Sequence, residues 1–339
     1  VSNVVKFRDL YSSDNGKFDY ITGVGTEFID TRYGNIKLAA LKGGNTVDAG
    51  ANYTGPARID RMVTYFNQDA DNADDETTME VDIIGFSRGA AEARDFSNRL
   101  ANSGSNGYYS YKNSKGEAQC QKVDFRFLGL WDTVLSTNWS GYDYQLAIPD
   151  PFQYVAQAVA LNKYRGSGFL FRPPGAIGAF PLESIMTGTS SPEPIPGKTR
   201  IEPGFIGSHS DIGGGFVQGD LSTIALSWMT DQARAAGIEL IAPPATIVAN
   251  PVLHDKSDAM RYGAPVANSE DRTVRYRNGS ATTEQKMPVS AGMSYDDTEQ
   301  FISYGPRYGN DYVTGTIDAK AYLDWLNANG YNVNMTVNP

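Results

Sequence analysis

The sequence predicts an α/β fold: a mostly parallel sheet with helices on both faces, plus loop or cap insertions. Three observations carry this. Residues 79–85 (MEVDIIG) and 123–130 (VDFRFLGL) are short apolar runs of the kind that strands buried on both faces show. Residues 56–69 place Ile59, Met62, Val63 and Phe66 at helical spacing after a proline start, and 88–100 are alanine-rich with Phe96 and Leu100 on one face. Runs and helices alternate along the first half, the order that a sheet covered on both faces requires.

Taken in order, 3–8 and 18–24 read as short strands ahead of the first helix. Residues 150–161 fit a helix. Residues 168–180 (GFLFRPPGAIGAF) are apolar but interrupted by proline and glycine, which suits a loop or cap, and 187–199 (TGTSSPEPIPGKT) reads as a loop excursion. A short strand follows at 203–207, then a helix at 220–236 with Asp220 as its N-cap. Residues 272–276 and 281–289 pair as a hairpin, and 319–329 reads as a helix.

Composition narrows the function. The chain has 339 residues with 40% hydrophobic and 20% charged, enough apolar content to bury a sizeable core. Its net charge of −10, with no long basic run, argues against a nucleic-acid partner. The lone cysteine, Cys120, excludes an internal disulfide and a cysteine-based zinc site. No apolar stretch approaches the roughly 20 residues of a membrane span, and no basic segment with an apolar run opens the chain as a signal peptide would. The acidic stretch 69–76 spaces two Asp residues like the start of a calcium loop but has Asp74 where that loop needs glycine, so it reads as solvated surface and no metal is expected.

The strongest local signal is Gly85-Phe86-Ser87-Arg88-Gly89, a G-x-S-x-G pattern with an apolar run before it and a helical pattern after it. A glycine-flanked serine also occurs in ordinary strand-to-helix turns. The flanking pattern favours a nucleophile held on a sharp turn, where Gly85 and Gly89 relieve crowding and the Arg88 amide faces an oxygen that gains negative charge. Such a serine needs a base and the base an orienting acid. Only two histidines exist, His209 and His254. His209 follows a short strand in a glycine-rich loop (GSHSDIGGG), whereas His254 lies in an irregular segment. Asp132 ends the 123–130 run, where a parallel strand would deliver it to the sheet edge that carries Ser87. Asp211 competes as the acid but suits a brace for its own loop, and Asp150 is weaker. Ser87, Asp132 and His209 are therefore the expected catalytic set, with no cofactor.

GFSRGAA, FLGLWDTV and GSHSDIGGGF, in this order, together with NVVKF and YITGVGTEF, resemble the GFSRGA-type α/β-hydrolases, a family that includes the phospholipase effectors of the type VI secretion system. The resemblance runs from about Asn3 to Phe216. It implies a serine ester hydrolase acting on phospholipid acyl esters, of phospholipase A type, with nucleophile, acid and base at Ser87, Asp132 and His209. Family members carry an FDGTWN-like strand end ahead of the NVV segment. This sequence begins at NVV, so the first strand is missing on this reading and the second oxyanion donor falls to another stretch, for which Gly23-Val24-Gly25-Thr26 is the candidate. Residues 1–240 would form the hydrolase core, and 241–339 a C-terminal extension of the same domain.

Further expectations follow from that resemblance. The substrate is a phospholipid membrane, and an immunity protein and a secretion-apparatus component are the expected partners. The route is secretion without a signal peptide, from the producer's cytoplasm to the periplasm or membrane of a target bacterium. Trp139, Phe169 and Phe171 are the candidate acyl-contacting residues. The alternatives are a general carboxylesterase or lipase without a secretion role, and a catalytically silent binding module on the same fold.

Overall fold

The computed structural model describes residues 1–24, 29–30, 34–35, 52–135, 141–162, 181–187, 195–242, 247–248, 251–255, 272–279, 281–286, 291–293, 295–308 and 312–337. Its centre is a mixed sheet built on β1 (Met79–Phe86), β2 (Tyr108–Lys112), β3 (Ala118–Trp131), β4 (Tyr154–Ala160), β5 (Thr199–Ile201) and β6 (Pro203–Phe205). The second half of β3 runs parallel to β1 on one side and to β4 on the other. β4 in turn pairs in parallel with β5 and β6. The first half of β3 pairs antiparallel with β2, so one long strand serves both the parallel core and an outer hairpin.

Side chains alternate across this sheet, and each face is buried. Phe127 and Trp131 of β3 and Ala156, Ala158 and Ala160 of β4 join one apolar cluster; Leu128, Leu130, Val155 and Val159 join the other. The first cluster is closed by α1 (Asn3–Leu10), α5 (Asp220–Ala235) and α6 (Ala319–Ala328), through Phe7, Trp228, Met229, Tyr322 and Leu326. The second is closed by α2 (Gly55–Asn72) and α3 (Arg88–Asn102), through Ile59, Ala90, Ala91, Phe96 and Leu100. Burial of each large side chain contributes roughly 1.5–3 kcal/mol. The small alanines of β4 share this cluster with Trp228 of α5 and with Phe127 and Trp131 of β3. A five-residue helix, α4 (His209–Gly213), lies between β6 and α5.

The C-terminal third packs into the same core. Leu253 of β7 (Val252–Asp255) and Ile317 of β11 (Tyr312–Ile317) belong to the cluster that holds Trp131 and Phe127. The hairpin expected near residues 272–289 is present as β8 (Thr273–Asn278) and β9 (Ala281–Lys286), paired antiparallel. β10 (Ile302–Tyr308) pairs antiparallel with β11, which pairs antiparallel with β7. Asp318 caps α6 by accepting a hydrogen bond from the Ala321 amide at 3.0 Å. Among the described residues no helix is long and apolar enough to cross a membrane.

Four elements differ from the sequence reading. Residues 3–8 are helical rather than a strand: Asn3 and Phe7, four apart, are the buried pair, and Phe7 meets Trp131 edge-on with ring centroids 6.2 Å apart. Residues 18–24 form no strand. Residues 154–160 form β4 rather than a helix, because the alternation of alanine with valine and glutamine matches a central strand covered on both faces. Gly219, not Asp220, occupies the N-cap of α5; Asp220 is the first helical residue, where its charge complements the helix dipole.

Candidate active site

β1, β3 and β6 run in one direction, and the residues just past their carboxyl ends converge. Ser87 follows β1, Asp132 follows β3, and His209 opens α4 shortly after β6. Nε2 of His209 lies 2.7 Å from the Ser87 Oγ, and Nδ1 lies 2.6 Å from Asp132 Oδ2. The three side chains thus form one continuous hydrogen-bonded chain. With Nδ1 protonated toward the carboxylate, Nε2 is left to accept the serine proton.

The turn at Ser87 is strained. Ser87 has φ 62° and ψ −128°, a conformation that costs a side-chain-bearing residue about 1–3 kcal/mol. Neighbouring backbone holds it there: the Ser87 amide donates to the Trp131 carbonyl at 3.1 Å, and the Ser87 carbonyl accepts from Ala90 at 3.1 Å and Val134 at 3.3 Å. The Arg88 amide is at the first position of α3, at the positive end of the helix dipole.

The two elbow glycines are not equivalent. A methyl group at Gly85 would lie 2.6 Å from the Gly89 carbonyl oxygen and 2.7 Å from Ala90 Cα, so strand and helix can close only over a hydrogen. A methyl group at Gly89 would meet nothing within 4 Å, which removes the steric role that the motif suggested for it. Gly85→Ala is expected to cost about 1–3 kcal/mol of stability and to lower activity. Urea unfolding checks this; an unchanged midpoint would mean that the elbow relaxes freely.

Asp132 is fully buried and has φ 42°. Its Oδ1 accepts from the Ala160 amide at 3.1 Å and from Arg272 Nη1 at 2.5 Å, while Arg272 Nη2 reaches Oδ2 at 3.1 Å. Behind it, the Thr133 amide and hydroxyl donate to Gln157, whose Nε2 donates to the buried Glu202 at 2.7 Å. Burial pushes the Glu202 carboxyl up from its ordinary value, against the pull of hydrogen bonds from Ser184, Ile185 and Gln157.

The histidine loop is braced from three sides. Asp211 accepts from the Ser208 amide at 3.0 Å and hydroxyl at 3.2 Å, and from the His254 amide at 3.0 Å, with His254 Nδ1 at 2.8 Å. Asp211 therefore caps α4 and fixes His254, which stacks on Phe216 with centroids 3.9 Å apart. Asn3, fully buried, donates to the Ile212 and Ser222 carbonyls at 2.8 Å each and ties α1 to α4 and α5. Asn162 accepts from the Gly207 amide at 2.9 Å. On the remaining side the Phe86 ring lies 4.6 Å from the His209 ring.

A cavity of about 600 Å³ is lined by Ser87, Arg88 and residues along β1, with Phe7, Ile59, Met62 and Phe66 on its wall together with the charged Arg58, Asp82 and Glu92. Gly23 and Val24 also line it, while Gly25 and Thr26 lie outside the described residues, as do Trp139, Phe169 and Phe171. Among the described residues no group of three or more His, Cys, Asp or Glu side chains is placed to hold a metal ion. Sequence reasoning missed Arg272, Asn3 and Asn162. Asn3 carried a faint signal, as an amide set among valines.

A family model described as T6SS, Phospholipase effector Tle1-like, catalytic domain, matches residues 96–232. A crystal structure of an uncharacterized protein from Pseudomonas aeruginosa is 24% identical over a match covering 53% of this chain and 27% of that one, with a TM-score of 0.33. The chain thus spans about a quarter of that protein's length. No curated protein matches. The family match begins after Ser87 and takes in Asp132 and His209, so over these residues the chain is similar to the catalytic domain of type VI secretion phospholipase effectors.

Proposed function

We propose that the protein is a serine hydrolase of α/β-hydrolase type that cleaves acyl esters of phospholipids, in the manner of a phospholipase A. The observation that carries this is the unbroken chain from the Ser87 hydroxyl through His209 to Asp132. Ser87 Oγ attacks the ester carbonyl while Nε2 of His209 takes its proton, and Asp132 holds the imidazole and balances its positive charge. The Arg88 amide stabilises the oxyanion, a contribution of about 3–4 kcal/mol where such a donor is removed elsewhere. The tetrahedral intermediate collapses, the C–O bond to the leaving alcohol breaks, and His209 returns the proton to that alcohol. Water then hydrolyses the acyl-enzyme by the same steps, with His209 as base and then acid.

The apolar wall beside Ser87 supports an acyl substrate, since ligand sites are commonly concave, apolar and of this size. We read residues 1–240 and 241–339 as one domain, because side chains from both share a core and Arg272 reaches Asp132. The similarity over residues 96–232 supports delivery to a target bacterium's envelope, where phospholipid is the substrate; an immunity protein and a secretion-apparatus component are the corresponding partners.

The test is incubation with phosphatidylethanolamine vesicles, with products identified by mass spectrometry, alongside labelling by a fluorophosphonate. Release of free fatty acid and lysophospholipid, with the label on the peptide that contains Ser87, is the expected result. Cleavage of short soluble esters alone would replace phospholipid with a general esterase reading. No label and no product would leave a binding module.

A further inference from the structure

Arg272 lies in the C-terminal third, to which the sequence assigned no chemistry. It immediately precedes β8, and it is 1% exposed. Its guanidinium spans the Asp132 carboxylate, with Nη1 2.5 Å from Oδ1 and Nη2 3.1 Å from Oδ2, and Nη1 also donates to the Ala160 carbonyl at 3.0 Å. Oδ2 is the oxygen that His209 Nδ1 contacts at 2.6 Å. One fully buried carboxylate therefore faces two partners, a buried guanidinium and a part-exposed imidazole.

We infer that Arg272 is a positioning residue that fixes the Asp132 carboxylate against His209 and partly offsets its charge, so that the imidazole stays neutral, and able to act as base, toward lower pH. The inference rests on the proposed serine hydrolase reading. A planar fork donating to both oxygens fixes the carboxylate plane in a way that a point-charge ammonium cannot. A lone buried carboxylate would strongly favour the imidazolium; a carboxylate paired with a permanent cation favours it less. Two other carboxylates near the loop have partners of their own. Asp211, on the same helix as His209, is turned to Ser208 and His254. Asp255 is tied to Asn162 and Tyr304. Among the described residues, Arg272 is the cation seen in an ion pair with Asp132.

The test uses the full chain with isotope-labelled histidine. Only two rings are present, and His209→Gln assigns them. In the unaltered protein the His209 ring is expected to titrate no higher than the ordinary histidine value of about 6.5 despite its carboxylate partner. In Arg272→Gln the midpoint should rise by about one pH unit, and the acid limb of kcat/KM should rise with it. In Arg272→Lys the midpoint should stay near the original while kcat falls, because charge is kept and the fork is lost. A midpoint well above 6.5 in the unaltered protein overturns the inference, and this holds even if Arg272→Gln does not fold. An unmoved midpoint in folded Arg272→Gln also overturns it. Absence of any ester hydrolysis by the unaltered protein would sink the enzymatic reading instead, and the ring titrations would still report on Arg272.

Discussion

Asp132→Asn is expected to lower kcat by about 10⁴, the size of effect seen when the acid of such a set becomes an amide. The reason here is geometric. Oδ2 faces His209 Nδ1 and Arg272 Nη2; Oδ1 faces the Ala160 amide and Arg272 Nη1. All four are donors when the imidazole carries its proton on Nδ1. An amide has one oxygen and one NH₂ group, so either orientation sets donor against donor. The relief open to the site is for the imidazole to move its proton to Nε2, and that tautomer cannot accept a proton from Ser87. Stability should suffer as well. Arg272 would keep its charge, buried, without the carboxylate that balances it, and breaking a buried pair from one side costs about 3–5 kcal/mol. Urea unfolding and steady-state kinetics on the same preparation separate the two losses. The double change Asp132→Asn with Arg272→Met should regain most of the stability and none of the activity, a coupling read directly from the cycle. A single change that costs less than about 1 kcal/mol would mean that solvent reaches the pair.

How far the site could be read from the sequence depended on how local each signal is. Ser87 is marked by its immediate neighbours: an apolar strand, a glycine that must sit under the helix, and a small-residue helix start. His209 is marked by scarcity and by a glycine-rich loop. Asp132 is marked only by its place at the end of an apolar run, which has meaning once the strand is known to lie beside β1. Arg272 bears no such mark. It sits 140 residues from its partner, and nothing in the residues around it separates an arginine under Asp132 from one on a hairpin's surface. The fold shows the same division. The β1–α3 unit is legible because its periodicities are clean, whereas YVAQAVA in β4 suits a buried strand and a helix equally until burial on both faces decides. Residues 3–10 are short, and tertiary anchors, the Asn3 hydrogen bonds and the Phe7–Trp131 contact, fix them as a helix.

Ser87→Gly is expected to abolish hydrolysis and yet to give a more stable protein than Ser87→Ala. Loss of the nucleophile from such a set lowers kcat by on the order of a millionfold, and both variants lose the same hydroxyl and the same bond to His209. They differ in the backbone. At φ 62° and ψ −128° a Cβ is strained by about 1–3 kcal/mol, and alanine retains that strain. Glycine adopts the conformation freely and gives back about 0.5–1 kcal/mol through the greater freedom of its unfolded chain. The balance favours glycine by about 1–2 kcal/mol. In a chain of 339 residues that corresponds to a rise of about 1.5 °C in Tm for each kcal/mol. Differential scanning calorimetry on the two inactive variants measures it, free of any contribution from catalysis. Equal melting temperatures would show that the turn at Ser87 stores no strain, and the bonds from Trp131, Ala90 and Val134 would then merely record a conformation that the serine already accepts. A higher value for glycine means that those bonds hold the hydroxyl in place against a backbone that would otherwise relax, so that the same geometry which presents the Ser87 hydroxyl to His209 lowers the stability of the fold.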